Sequence, residues 1–120
     1  MRVNGTDIFM TRGDSETFRV SLYDQKAEEK VNFVEGVHTI YFTVKASTQT
    51  STIVFQKIVT EFDDGEAVVH ITPIDTRNLK YFAYVYDVQM NKEETSTFPG
   101  EVTTIIKPSK FVIEDEVTYE

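Results

Sequence analysis

The chain has 120 residues, with 20 acidic and 12 basic side chains, a formal net charge of −8, two histidines and neither cysteine nor tryptophan. That length suits one domain, burying about two-thirds of the surface its unfolded chain exposes. A hydrophobic content of 40% is enough for a core, which argues against wholesale disorder. Without cysteine, disulfide scaffolds and thiolate metal sites are excluded, while the compartment stays open. The acidic balance opposes phosphate-backbone binding, which needs a basic face, and opposes anionic membranes for the same reason. No apolar stretch follows Met1–Thr6, so no signal peptide is read there. The longest apolar run, Tyr81–Tyr86, is far short of a membrane span.

Val, Ile and Thr account for 40 residues and Leu plus Ala for only six, a composition suited to pleated surfaces. Period-two alternation recurs in short segments divided by turn residues, as in antiparallel sheets. After Gly13-Asp14, Glu16–Leu22 places Phe18, Val20 and Leu22 on one face. Asp24–Glu35 reads as a charged connection anchored by Val31, Phe33 and Val34 and closed by Gly36. His38–Ala46 is the cleanest strand, with Ile40, Phe42 and Val44 opposite Tyr41, Thr43 and Lys45. Ser47–Thr52 is a polar loop. Ile53–Thr60 is a further strand whose phase shift at Gln56-Lys57 predicts a bulge.

Asp63-Asp64-Gly65 supplies a hairpin turn, followed by the alternating Ala67, Val69 and Ile71. Pro73 ends that strand, since it lacks a ladder amide, and Asp75–Leu79 reads as one helical turn. Phe82–Met90, with Phe82, Tyr84, Tyr86, Val88 and Met90 on one side, is apolar enough for a central strand. Asn91–Gly100 is a loop, Val102–Lys107 a strand and Lys110–Ile113 a last short one after Pro108. Seven strands at roughly ten-residue spacing predict an all-β, immunoglobulin-like antiparallel β-sandwich, with an open Greek-key barrel as the alternative. Residues 1–113 form that single domain, and 114–120 an acidic C-terminal tail.

Chemistry-bearing strings are sparse. Arg12-Gly13-Asp14-Ser15 is similar to the integrin-recognition tetrapeptide, but a turn explains it better, Gly13 bending the chain and Asp14 or Ser15 capping amides. His38, at a strand start, and His70, of outward parity, lack a nucleophile elbow or an H-x-x-x-H partner. They read as ordinary surface or edge residues. Asp63, Asp64 and Glu66 lack the oxygen spacing of a calcium loop and read as a solvated hairpin tip. Any two acids can meet in space for glycoside hydrolysis, yet nothing singles out a pair. Most aromatics fall on inward parity and serve the core; Tyr41, Tyr81 and Tyr119 do not, and with Arg12 and Asp14 they are the candidate contact residues. No cofactor, metal site or catalytic residue is expected.

The arrangement of these segments carries a resemblance. It rests on Met10–Ser15 followed by Phe18–Leu22, on Ile40–Lys45, on Phe62–Val68, on Thr72–Thr76 and Tyr84–Gln89, and on Thr103–Phe111. The chain resembles small β-sandwich proteins encoded among the structural genes of phages and prophages of Gram-positive bacteria. It is similar, more distantly, to the amino-terminal module of phage baseplate upper proteins. That family usually has a glycine between the positions of Leu79 and Tyr84, where Lys80-Tyr81-Phe82-Ala83 stands here. Within it, the Arg12-Gly13-Asp14 string recurs at the entry to the first strand, which supports the turn.

The resemblance implies a non-enzymatic virion or tail component, or adaptor, made in the bacterial cytoplasm. It would contact other virion or tail proteins and act in several copies, as a homo-oligomer in the assembly, with no nucleic acid and no membrane as partner. It transfers no active-site residue. A recognition module for cell-surface glycans or receptors is the alternative.

Overall fold

The computed structural model describes residues 1–115. In chain order the strands are β1 (Arg2–Asn4), β2 (Asp7–Thr11), β3 (Glu16–Val20), β4 (Tyr23–Asp24), β5 (Glu29–Lys30), β6 (His38–Lys45), β7 (Ile53–Val59) and β8 (Ala67–Ile71). A single helical turn, α1 (Pro73–Thr76), precedes β9 (Ala83–Lys92) and β10 (Glu101–Glu114). Six strands form one sheet in the order β1-β2-β10-β9-β6-β7, while β3 pairs with β8 and β4 with β5. Phe18 of β3 meets Phe42 of β6 edge-on at 5.3 Å, so the two-stranded layer packs over the larger sheet. The protein is an all-β sandwich, as composition and spacing predict.

The strand layout differs from the sequence reading. Asp7–Thr11 is a strand, unanticipated although Ile8 and Met10 alternate into the core. It runs parallel to the end of β10, Ile8 opposite Phe111 and Thr11 opposite Glu114, so the sheet is mixed rather than purely antiparallel. Glu114 therefore belongs to the sheet, not to the tail. The two segments expected on either side of Pro108 are one 14-residue strand. Its register against β9 slips between Thr104 and Ile106 and again between Ile106 and Ser109. A proline without an amide hydrogen is tolerated at such an irregularity, where the ladder is already interrupted.

Parity sets the core. Ile40, Phe42 and Val44 of β6 lie opposite Met90, Val88 and Tyr86 of β9, and all six are buried. Phe42 is at the centre, with Tyr86, Phe111 and Phe55 at centroid distances of 5.0, 6.0 and 6.2 Å. Val20, Ala67, Val69 and Ile71 close the cluster from the smaller layer. The bulge in β7 falls at Val54, since Val44 faces Phe55 while Lys45 faces Ile53. Gln56-Lys57 stays in register, so Lys57 shares the inner face with its partner Phe42.

The connections carry the chain between layers. Asp63 and Glu66 exchange backbone hydrogen bonds of 3.0 Å around Asp64 and Gly65, whose φ values of 52° and 72° make a type I′ turn. The turn is the expected one, but it directs the chain from the large sheet to the small one, because β7 and β8 do not pair. The helical turn starts two residues before its predicted position, with Pro73 preset for a first helical residue and the Asp75 carboxylate accepting from the Thr72 amide at 2.7 Å. Tyr84, opening β9, donates its hydroxyl to the Lys80 carbonyl at 3.2 Å.

Candidate functional site: turn, faces and open edges

Thr11–Asp14 is a turn closed by the Asp14 amide on the Thr11 carbonyl at 3.2 Å. Gly13, at φ 84°, occupies the position where a type II turn requires a positive φ. The Gly13 amide donates to the hydroxyl of fully buried Thr76 at 2.8 Å, pinning the turn to α1. Arg12 does not project from it. Its guanidinium donates to the Leu79 carbonyl at 3.3 Å and lies 4.3 Å from the Tyr81 ring centroid. Asp14 is exposed. The structure thus brings Arg12 and Tyr81 together as packing partners and leaves Asp14 apart from them. Tyr41 lies on the opposite, outer face of the large sheet, and Tyr119 lies outside the described residues.

The histidines occupy two different environments. His70 is exposed on the small layer, its Nδ1 3.0 Å from the hydroxyl of its cross-strand neighbour Thr17. His38, read from sequence as a surface or edge residue, is buried. Its Nδ1 accepts the Val34 amide hydrogen at 2.9 Å, and its ring rests on Phe33. Burial, helped by the nearby Lys92 charge, lowers its pKa against a smaller opposing effect of Glu101. The strand-start position gave no hint of this, because the partner residues belong to the irregular segment before it.

At the Asp63–Glu66 tip, Asp63 and Glu66 are paired rather than merely solvated. Arg19 reaches Glu66 at 2.7 Å and Asp63 at 2.9 Å, and Lys30 reaches Glu66 at 3.2 Å. Its hydrogen bonds to Arg19 and Lys30 hold the Glu66 carboxyl below its ordinary value. No group of three or more potential metal ligands forms among the described residues.

What the fold leaves available is backbone. β7 has a neighbour on one side only, and β2 covers only Phe111–Glu114 of β10. Among the described residues, the Glu101–Lys107 part of β10 therefore has no strand beside it on that side, whereas Ser109 and Lys110 are met by the Thr6 hydroxyl and the Asp7 carboxylate. Both edges carry exposed aliphatics: Ile53 and Ile58 on β7, and Val102, 67% exposed, on β10. Each also carries a device that resists indiscriminate pairing, an inward Lys57 on β7 and Pro108 with its slipped register on β10. Sequence parity could not locate these edges, because strand order is set by pairing over long separations. No family model matches the chain, and neither a curated protein nor a solved structure matches it.

Proposed function

We propose that this protein is a non-enzymatic structural or adaptor module of a phage or prophage virion, working through protein–protein contacts at its sheet edges. One observation carries the contact role: among the described residues, β7 and the first part of β10 are open edges of the large sheet, flanked by Ile53, Ile58 and Val102. Strand addition at such edges supplies main-chain hydrogen bonds for affinity and side-chain pockets for specificity. The virion setting rests on the strand-and-turn resemblance, and the closed symmetry usual in assemblies suits a module used in several copies. The net charge of −8 keeps free copies apart before they assemble. A non-catalytic role accords with the histidines, one bonded to a backbone amide and the other to an exposed threonine.

The test is binding to the proteins encoded by neighbouring genes, measured with the wild type and with Thr104→Pro and Ile58→Lys. Binding to a portal, capsid or tail protein that either edge variant weakens, at unchanged thermal stability, supports the role. A hydrolytic activity abolished by His70→Ala would falsify it.

A further inference from the structure

A groove of about 280 Å³ crosses the outer face of the six-stranded sheet, away from the packed core. Its floor is a block of cross-strand neighbours: Thr43 of β6 lies between Gln56 of β7 and Asp87 of β9, with Lys45 and Gln89 on adjoining rows. Thr48 from the loop after β6 and Pro108 from irregular β10 also line it. Extra residues in a strand bend it and tighten its twist. Val54 on one side and the slips around Ile105 and Pro108 on the other therefore curve a face that would otherwise be open.

Asp87 is the group that the fold itself does not use. It is only partly exposed, and no hydrogen bond or ion pair joins it to another described residue. Burial raises its carboxyl pKa, and the charge of Lys45 opposes that rise. A desolvated, unpaired carboxylate on a groove floor is a common mark of a binding site. Its neighbours are also primed. Gln56 donates its amide to the Thr43 hydroxyl oxygen at 2.9 Å, which leaves the hydroxyl hydrogen free to donate.

The chemistry selects the ligand. Asp87 accepts, Lys45 donates, and the Gln89 amide and the Thr43 hydroxyl do both. One positive and one negative charge at the same groove disfavour a strongly charged ligand of either sign. Val85 and Ile53 add aliphatic contact. Tyr41 shares the outer face and is the cross-strand partner of Gln89, next to the groove. Two strand spacings by one side-chain repeat give a footprint of roughly 10 by 7 Å. That area, and a volume at the small end for ligand pockets, fit a compact polyhydroxylated molecule. We infer that this groove binds a neutral hexose unit of a glycan, with Asp87, Lys45 and Gln89 as its polar anchors and Tyr41 beside it.

The inference is independent of the assembly role, whose test is directed at the sheet edges. The experiment is a titration of the isotope-labelled full chain, followed by amide chemical shifts, with glucose, galactose, mannose and N-acetylglucosamine. A lysine-rich and an acidic peptide are run in parallel. Shifts centred on Thr43, Lys45, Asp87 and Gln89, with a Kd of about 1–10 mM, are expected for at least one sugar. Asp87→Ala weakens that binding about tenfold or more and Tyr41→Ala severalfold, whereas Glu61→Ala leaves it unchanged. The same spectra show whether each variant is folded. Silence of these amides up to about 50 mM of every sugar overturns the inference. So does equal affinity in folded Asp87→Ala, or a response of these residues to a peptide alone.

Discussion

Lys57 points inward from an edge strand, and its ammonium sits 2.7 Å from the Asp75 carboxylate of α1. The pair ties the rim of the large sheet to the connection between β8 and β9, and it places a charge where an added strand would otherwise find an apolar edge. Burial by itself would raise the Asp75 carboxyl, but Lys57 together with the Thr72 amide and hydroxyl outweighs burial, so its pKa is lowered. A depressed carboxyl pKa gives stability that is present above the unfolded value of about 3.9 and lost as pH falls toward the folded one. Acid titration of stability should therefore be shallower in Asp75→Asn than in the wild type below about pH 4. At neutral pH, Asp75→Ala should cost about 1–2 kcal/mol through the lost helix-start bond and ion pair. Urea melts at several pH values check both numbers.

Phe42 is fully buried among four other rings. Truncation to alanine should cost about 3–5 kcal/mol, because the sheet can collapse only partly into the space. Tyr86 adds a polar handle, its hydroxyl donating to the Thr6 carbonyl. Tyr86→Phe should lose only about 1 kcal/mol, since the ring remains. Burial, with a smaller contribution from Asp7, pushes the Tyr86 hydroxyl up to about 12. A raised tyrosine pKa gives stability that is complete below the unfolded value and lost as pH rises. Wild type should therefore weaken between about pH 10 and 12, with less loss in Tyr86→Phe. Denaturant midpoints across that range decide it.

Much of this core is legible in the sequence, because period two survives wherever one face is buried. The alternation of Ile40, Phe42 and Val44 and of Tyr84, Tyr86, Val88 and Met90 translates directly into the two facing rows. Phe82 breaks the pattern: it precedes β9, half exposed, and packs on Tyr84 at 5.1 Å. The parallel pairing of β2 with β10 joins opposite ends of the chain and has no local sign. Lys57 was obscured because a charge at inward parity looks like a slip in phase, whereas the extra residue is Val54. The groove around Asp87 is likewise hidden. Its residues come from four strands and the loop after β6, and only their register brings them together.

Arg12 and Asp14, adjacent to one glycine, should behave differently. Arg12→Ala removes the bond to the Leu79 carbonyl and the contact with Tyr81, and should cost about 1 kcal/mol. Asp14→Ala, at an exposed position, should change stability by less than about 0.5 kcal/mol. Paired thermal melts distinguish a packed turn from an adhesive loop, in which neither residue would matter to the fold.

Gly65 is held by two constraints. Its φ is 72°, and an added Cβ would collide with the Asn32 side chain and come within 3.3 Å of the Asn32 backbone. The Gly65 carbonyl also accepts the Phe33 amide hydrogen at 3.0 Å, so the turn cannot simply lift away. Gly65→Ala should cost about 2–3 kcal/mol, more than a positive φ alone demands. Adding Asn32→Ala should recover part of that loss, because it removes the nearest colliding atoms. A double-mutant cycle by denaturant unfolding measures the coupling.

His38 makes stability depend on pH in the mildly acidic range. Its Nδ1 accepts a hydrogen bond from the Val34 amide, so the folded state holds the neutral ring with the proton on Nε2. Protonation would turn that acceptor into a donor facing a donor. Among the surrounding groups, Lys92 opposes the charged ring while Glu101 favours it, and burial decides the direction downward. For a histidine with a lowered folded pKa, the unfolded chain binds the extra proton first. Its stabilising contribution is therefore complete above the unfolded value of about 6.5 and is lost as pH falls below it. The wild type should lose stability between about pH 7 and 5. His38→Gln keeps an acceptor for Val34 without titrating, so it should lose less over the same interval. Equal slopes for the two proteins would show that His38 exchanges its proton as freely in the folded state as in the unfolded one.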